Sequence, residues 1–380
     1  MEIYVVQEGD NVDSIAERFS VSDTMIEDDN QLSFPYQVVP GQALLINNGL
    51  GNRNVIARSS GYLYPYVAVE TLQAQLPYLS SVNVFSYGFT EDGTLIPPAY
   101  DDSWIIVASL EQATVSALTL TPLNEEQSFD NERISSIVND PATQETLADN
   151  LLSEMQAKGY VGLNIDFEFV KPEDKDLYTA FVLYMAERMH EYGYHVSVAL
   201  APKTSADQPG LLYEGIDYEA LGEIADSVVL MTYEWGYTYG PPMAVAPINK
   251  VREVVEYAVS VIPPSKIMLG IPNYGYDWTL PYEEGVTAAE SISNVEAMRR
   301  AIRNDVPIQF DEVAQSPYYR YMGEDEAEHE VWFEDVRSLQ AKFDLMKEFE
   351  LRGATYWQLM NFFKANWLLL EDNFFLIPGV

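Results

Sequence analysis

The feature that most restricts what this chain can become is a recurring apolar run. From about residue 58 onward the runs are Gly61–Tyr66, Val82–Phe89, Val115–Leu120, Val161–Phe169, His195–Ala201, Ser227–Tyr233, Ile267–Pro272 and Ala354–Leu359. Most are separated by stretches with helical periodicity rather than by tight turns. Pro141–Lys158 shows the pattern well. Asp140 can cap it, Pro141 suits the first helical position, Leu147, Leu151 and Met155 share a face, and Gly159 ends it. Glu173–Tyr192 ends at Gly193 in the same way, and Lys250–Ile262 stops before Pro263-Pro264. Strands that alternate with helices build a parallel sheet. Eight such units predict an α/β fold, a closed (β/α)₈ TIM barrel. A doubly wound open sheet is the alternative. Tyr274 to Gly353 holds more chain than one helix needs. It carries a helical run at Val295–Arg303, alternating stretches at Ile308–Val313, Tyr318–Met322 and Glu330–Phe333, and a last helix at Asp335–Glu350. This predicts a small α+β insertion between strands seven and eight, about residues 275–334.

The first 47 residues read as a separate β-α-α-β unit. Ile3–Val6 and Ala43–Ile46 are its strands. Gly9-Asp10-Asn11 turns the chain into a helix whose Val12, Ile15, Ala16 and Phe19 form one face. Ser22-Asp23 is placed to cap a second helix. Asn47–Asn54, rich in Asn and Gly, marks a linker, taken as residues 48–57, before a barrel at 58–380.

Composition removes several function classes. The formal charge is −38, from 59 acidic and 21 basic residues. Without clusters of Lys and Arg, neither a nucleic-acid partner nor an anionic membrane surface is expected. There is no cysteine, so disulfides, thiolate nucleophiles and Cys-bound zinc are excluded. His190, His195 and His329 are isolated in sequence, and no metal site is expected. No run approaches the roughly 20 apolar residues of a membrane span. The start, Met1-Glu2-Ile3-Tyr4, has neither a basic nor an apolar region of a secretory signal. A monomer is the expected state.

Chemistry concentrates in Gly162-Leu163-Asn164-Ile165-Asp166-Phe167-Glu168. Side chains alternate along a strand, so Asn164, Asp166 and Glu168 share one face. Polar groups on a parallel strand carry a desolvation cost that is best tolerated at the C-terminal mouth of a barrel, where active sites lie. Taken alone, the Asp-x-Glu pair equally suits a buried structural network.

The segment resembles the Asp-x-x-Asp-x-Asp-x-Glu signature of glycoside hydrolase family 18. Three further segments fall in the family's order. Met231-Thr232-Tyr233-Glu234-Trp235 resembles the sixth-strand segment, Gly270-Ile271-Pro272-Asn273-Tyr274-Gly275 the seventh, and Tyr356-Trp357 the eighth. The N-terminal unit resembles a LysM module, through Tyr4-x-Val6, Gly9-Asp10, Ile15-Ala16, Asn30 and Pro40-Gly41-Gln42-x-Leu44-x-Ile46. Together with Ala201-Pro202-Lys203, Gly240-Pro241-Pro242 and Asn366-Trp367-Leu368-Leu369-Leu370, the chain resembles the spore cortex-lytic N-acetylglucosaminidases of endospore-forming bacteria.

The resemblance implies a retaining, substrate-assisted glycosidase that needs no cofactor. Glu168 would be the acid, Asp166 would hold the substrate's acetamido N–H, and Tyr233 its carbonyl oxygen. Trp357 would floor the sugar site, with Asn164, Tyr64, Met231, Glu234, Asn273 and Tyr274 around it. Gly9, Asp10, Asn11 and Val12 would contact glycan on the module. The partner would be peptidoglycan or a chitin-like glycan. The setting would be the spore coat or cortex after synthesis in the mother-cell cytoplasm. A chitinase and an inactive wall- or spore-binding lectin are the rival readings. Val161 and Asn164 stand where typical members carry Asp, Glu234 replaces an Asp, and Thr119-Leu120-Thr121-Pro122 lacks the usual Ser-x-Gly-Gly. Asn164 cannot titrate, which changes the pH dependence the family pattern implies.

Overall fold

The computed structural model describes residues 1–49, 51, 53–324 and 326–380. Leu50 and Asn52, within the expected linker, lie outside the described residues, as does Asp325.

Eight parallel strands close on themselves. Ile56–Leu63 pairs with Ser81–Phe89 on one side and with Gly353–Trp357 on the other. Val115–Leu120, Gly162–Ile165, His195–Leu200, Ser227–Leu230 and Ile267–Pro272 complete the ring. Closure excludes the open-sheet alternative. The first strand starts at Ile56, inside the run read as linker, because Phe375–Leu376 pairs with Ile56 and Ala57. The strand Gly162–Ile165 is shorter than expected, since its parallel ladder ends at Ile165.

The helices follow their local chemistry. Asp140 accepts the backbone N–H of Ala142 and Thr143, and Gly159 closes Pro141–Lys158 in the left-handed conformation. Leu147, Leu151 and Met155 are buried to zero exposure on its inner face. Each is worth about 1.5–3 kcal/mol relative to an exposed side chain. The insertion holds a five-stranded sheet and the helix Asn294–Arg303. Two of its strands, Gly275–Leu280 and Glu290–Ile292, go beyond the alternating stretches read from sequence. Asp277 interrupts the apolar pattern there, yet it is buried with Arg300 at 2.6 Å, Tyr321 at 2.7 Å and His329 at 2.8 Å.

In the N-terminal unit Asn11 caps Val12–Phe19 through a reciprocal bond with Ser14. Ser22 precedes Asp23–Asp29 but makes no side-chain cap bond. Its hydroxyl is engaged instead with Thr24 and Asp23. The unit packs on the barrel. Ile308 N–H donates to Pro40 O at 2.9 Å, and Arg337 to Gly41 O at 3.0 Å. Lys364 pairs with Asp28 and Asp29. Gly41 sits at φ +81°, and a Cβ there would lie 1.8 Å from the Ile308 carbonyl oxygen. Only glycine satisfies both demands.

Candidate active site

The barrel interior beneath its C-terminal mouth is polar, and several of its side chains pair with one another. Ser60 and Thr355 hydroxyls meet at 2.7 Å. Tyr62 donates to Asn164 Oδ1 at 3.0 Å, and Asn164 Nδ2 donates to Ser197 Oγ at 2.8 Å. Asn164 is fully buried and committed to this layer. Above it, Asp166 N–H still donates to Leu120 O at 2.9 Å, so the extended backbone runs one residue past the strand. Alternation then sends Phe167 outward, where it stacks on Phe181 and Tyr178 at 5.6 and 5.9 Å. Asp166 and Glu168 are left facing a cavity of about 350 Å³.

Asp166 is 8% exposed, and its Oδ1 has no hydrogen-bond partner within the protein. A buried carboxylate oxygen without a partner is costly, and such costs concentrate where a ligand completes the site. Burial, then the Glu168 charge, push the Asp166 carboxyl well above the usual range. Burial, then Glu234, push Glu168 up as well. The pair therefore retains a proton at pH values where free carboxylic acids have lost theirs.

Aromatic rings wall the cavity. Trp357 lies 5.0 Å from Phe85 and 6.3 Å from Tyr64, centroid to centroid. Burial raises the Tyr64 hydroxyl to about 12 and the Tyr233 hydroxyl well above its ordinary value, so both remain donors. Glu234, at the exposed rim, takes a left-handed backbone (φ 66°). It is held by the hydroxyls of Tyr274 and, at 3.0 Å, of Tyr276. The shape suits an uncharged ring with polar edges, and the two carboxyl groups suit acid chemistry. Among the described residues no group of three His, Asp or Glu could hold a metal ion.

Residues 124–361, which include this strand and most of the cavity wall, match the model for glycosyl hydrolases family 18. The chain belongs to glycoside hydrolase family 18. It is therefore a glycosidase. Residues 4–47 match the LysM domain. The cortical fragment-lytic enzyme of Bacillus subtilis (strain 168) is 40% identical over 98% of each chain. The crystal structure of the Bacillus cereus spore cortex-lytic enzyme SleL superimposes with TM-score 0.93 at 33% identity, covering 99% of both chains. That of the Bacillus megaterium QM B1551 SleL gives 0.81 at 39% identity, covering 100% of this chain and 87% of that one.

In this family 18 barrel, Tyr64, Asp166, Glu168, Met231, Tyr233, Glu234 and Trp357 line the cavity together. Asn164 lies in the layer below. Asn273 is not on the cavity wall. Its amide donates to Gln358 O and Asn361 O and ties the seventh strand's exit to the eighth. Tyr274 is 4% exposed and reaches the site through Glu234. On the module, Val12 is a core residue at 4% exposure. Asn11 is spent on its cap, and Asp10 accepts from Tyr4 OH at 2.6 Å and Gln7 N–H at 2.8 Å. Gly9 sits at φ +85° in the turn, with open space around it. Sequence reasoning missed Phe85, Phe129, Leu212 and Tyr213 as wall residues. Phe85 was legible as part of a strand, but Leu212 and Tyr213 sit on a loop with no periodic signal.

Proposed function

We propose that the protein is a retaining, substrate-assisted N-acetylglucosaminidase acting on spore cortex peptidoglycan. One observation carries this reading: Asp166, with an unpartnered buried oxygen, and Glu168 open into one aromatic-walled cavity. The names of the relatives supply the substrate.

In this mechanism Glu168, kept protonated by burial and neighbouring charge, donates its proton to the glycosidic oxygen. The acetamido carbonyl oxygen of the bound sugar attacks its own anomeric carbon as the leaving group departs. Asp166 accepts a hydrogen bond from the acetamido N–H and offsets the positive charge on the oxazolinium ring. Tyr233 donates to the acetamido oxygen and orients it for attack. Trp357 supports the sugar ring. Glu168, now ionised, takes a proton from water, which opens the ring with overall retention. Glu234, clamped by two tyrosines, supports the proton affinity of Glu168. Residues 1–47 serve as a glycan-binding module, 48–55 as the linker and 56–380 as the catalytic unit, acting as a monomer on the spore.

Product analysis of digested cortex peptidoglycan tests the proposal. New reducing ends on N-acetylglucosamine are expected. Ends on muramic residues, or turnover of purified chitin with none of cortex, would overturn it.

A further inference from the structure

The fifth strand of the ring, His195–Leu200, is followed by residues 201–217, which form neither helix nor strand before Tyr218–Ile224 begins. Loops longer than about 12–15 residues without secondary structure are uncommon in compact domains and usually carry function. The fifth strand stands opposite the first, so this loop faces Tyr64 across the mouth of the barrel. Pro202, Leu212 and Tyr213 of the loop form one wall of the cavity that holds Asp166 and Glu168. A glycan strand laid across that mouth has to pass them.

One side chain ties the neck of the loop. Lys203 is 1% exposed. Its Nζ donates to Ile216 O at 2.8 Å and to Ala206 O at 3.1 Å. Its backbone N–H donates to the Tyr218 hydroxyl at 3.1 Å, and that hydroxyl donates in turn to Ala201 O. Positions 13 apart in sequence are thus held by a single ammonium group. The neck also presses on the exit of the catalytic strand. A Cβ on Gly215 would lie 2.1 Å from the carbonyl oxygen of Val170, two residues past Glu168. The head of the loop is braced from within. Gly210 O accepts the N–H of Tyr213 at 2.9 Å and of Glu214 at 3.0 Å, and Glu214 Oε1 accepts the Gly210 N–H at 2.7 Å.

A lysine here carries a penalty that an apolar residue would not. Asp217, Asp207 and Glu214 act on its charge only at longer range, and Asp217 pairs with Lys175 at 2.9 Å instead. Burial, then the Lys175 charge, hold the Lys203 ammonium below its ordinary value. A buried cation without a paired carboxylate is destabilising. An apolar side chain of the same length would fill the space, but it could not bond two carbonyl oxygens. Departures of this kind from the most stable choice concentrate at functional sites.

We propose that Lys203 is a positioning residue for the glycosidase reaction. It holds the 201–217 loop so that Leu212 and Tyr213 bind the part of the glycan lying beyond Glu168, on the side away from Tyr64. The proposal rests on the reading of this cavity as the catalytic site. Lys203 itself touches no substrate and acts through the loop. Its loss should weaken substrate and transition state alike, and so appear in KM rather than in kcat.

A double-mutant cycle tests this by steady-state kinetics on a soluble tetrasaccharide released from cortex peptidoglycan. Lys203→Met keeps the apolar stem and should raise KM about tenfold with kcat within about threefold. Tyr213→Ala should raise KM by a similar factor. The double variant should raise it no further than the larger single one, because both remove the same wall. Additive increases, or a fall in kcat with KM unchanged, would overturn the proposal. Hydrogen–deuterium exchange on the unsubstituted chain needs no variant to fold. The amides of Tyr213, Glu214 and Ile216 should exchange slowly, and exchange as fast as in an unstructured chain would show that the loop is not pinned and would overturn the proposal too. Normal turnover by Glu168→Gln would sink the catalytic reading and this proposal together. Additivity alongside an inactive Glu168→Gln would sink this proposal alone.

Discussion

Asp166 and Asp10 both border a groove, and their surroundings are opposite. Asp166 is buried, has an oxygen without a partner, and is raised by burial and the Glu168 charge. Asp10 is held by the Tyr4 hydroxyl and the Gln7 N–H, which lower its carboxyl below the usual range. The barrel carboxylate keeps its bonding capacity for a substrate at a cost in stability. The module carboxylate spends one of its oxygens on the shape of its own loop. A site that performs chemistry must hold groups ready to change charge; a site that grips needs a fixed surface.

The sharpest way to break this contrast is at the acid. Glu168→Gln should lower kcat about 10²–10⁴-fold with KM little changed. Steady-state kinetics on a soluble glycan measure this, and near-normal kcat would remove Glu168 from the chemistry. Next comes the joint between the regions. Gly41→Ala adds a Cβ against the Ile308 carbonyl at a positive φ and should cost about 2–3 kcal/mol of docking. Faster proteolysis within residues 48–55, with kcat on short glycans retained, is the expected sign. Unchanged proteolysis would mean that the joint yields easily.

Smaller effects compare the two aspartates directly. The folded Asp166 carboxyl is raised above its unfolded value, so the unfolded chain loses its proton first as pH rises. Its contribution to stability therefore falls through that window and stays low above it. Asp166→Asn should accordingly gain about 0.5–2 kcal/mol at neutral pH while losing turnover, and the gain should vanish below about pH 4. Asp10 runs the other way. Its folded value is depressed, so its stabilisation is present above the unfolded value and lost as pH falls through the folded one. Asp10→Ala should cost about 1 kcal/mol at neutral pH and progressively less in acid. Thermal melts across pH measure both. Parallel pH profiles for the two variants would contradict the comparison.

Much of the architecture was legible because it is local. Val115–Leu120 and Ile267–Pro272 coincide with their apolar runs, and Pro141–Lys158 with its cap and terminator. The Asn164, Asp166, Glu168 alternation was legible for the same reason. Ser22 had the right identity for a cap, but neighbouring Thr24 and Asp23 engage its hydroxyl. The insertion strand carrying Asp277 was obscured because its ion partners, Arg300 and His329, are remote in sequence. Leu212 and Tyr213 reach the cavity through the path of a loop, which no periodicity encodes.

The order of residues by itself determined the strand and helix periods, the caps, the excess of acid and the placing of two carboxyl groups on one face. These depend on neighbours within a few positions, where backbone geometry is repetitive. Tertiary structure alone decided that Asp166 is stripped of partners, that Trp357 and Phe85 meet across the mouth, and that the module seats on the barrel through Gly41. Desolvation and close contact arise only when segments hundreds of residues apart are brought together, so no local pattern carries them.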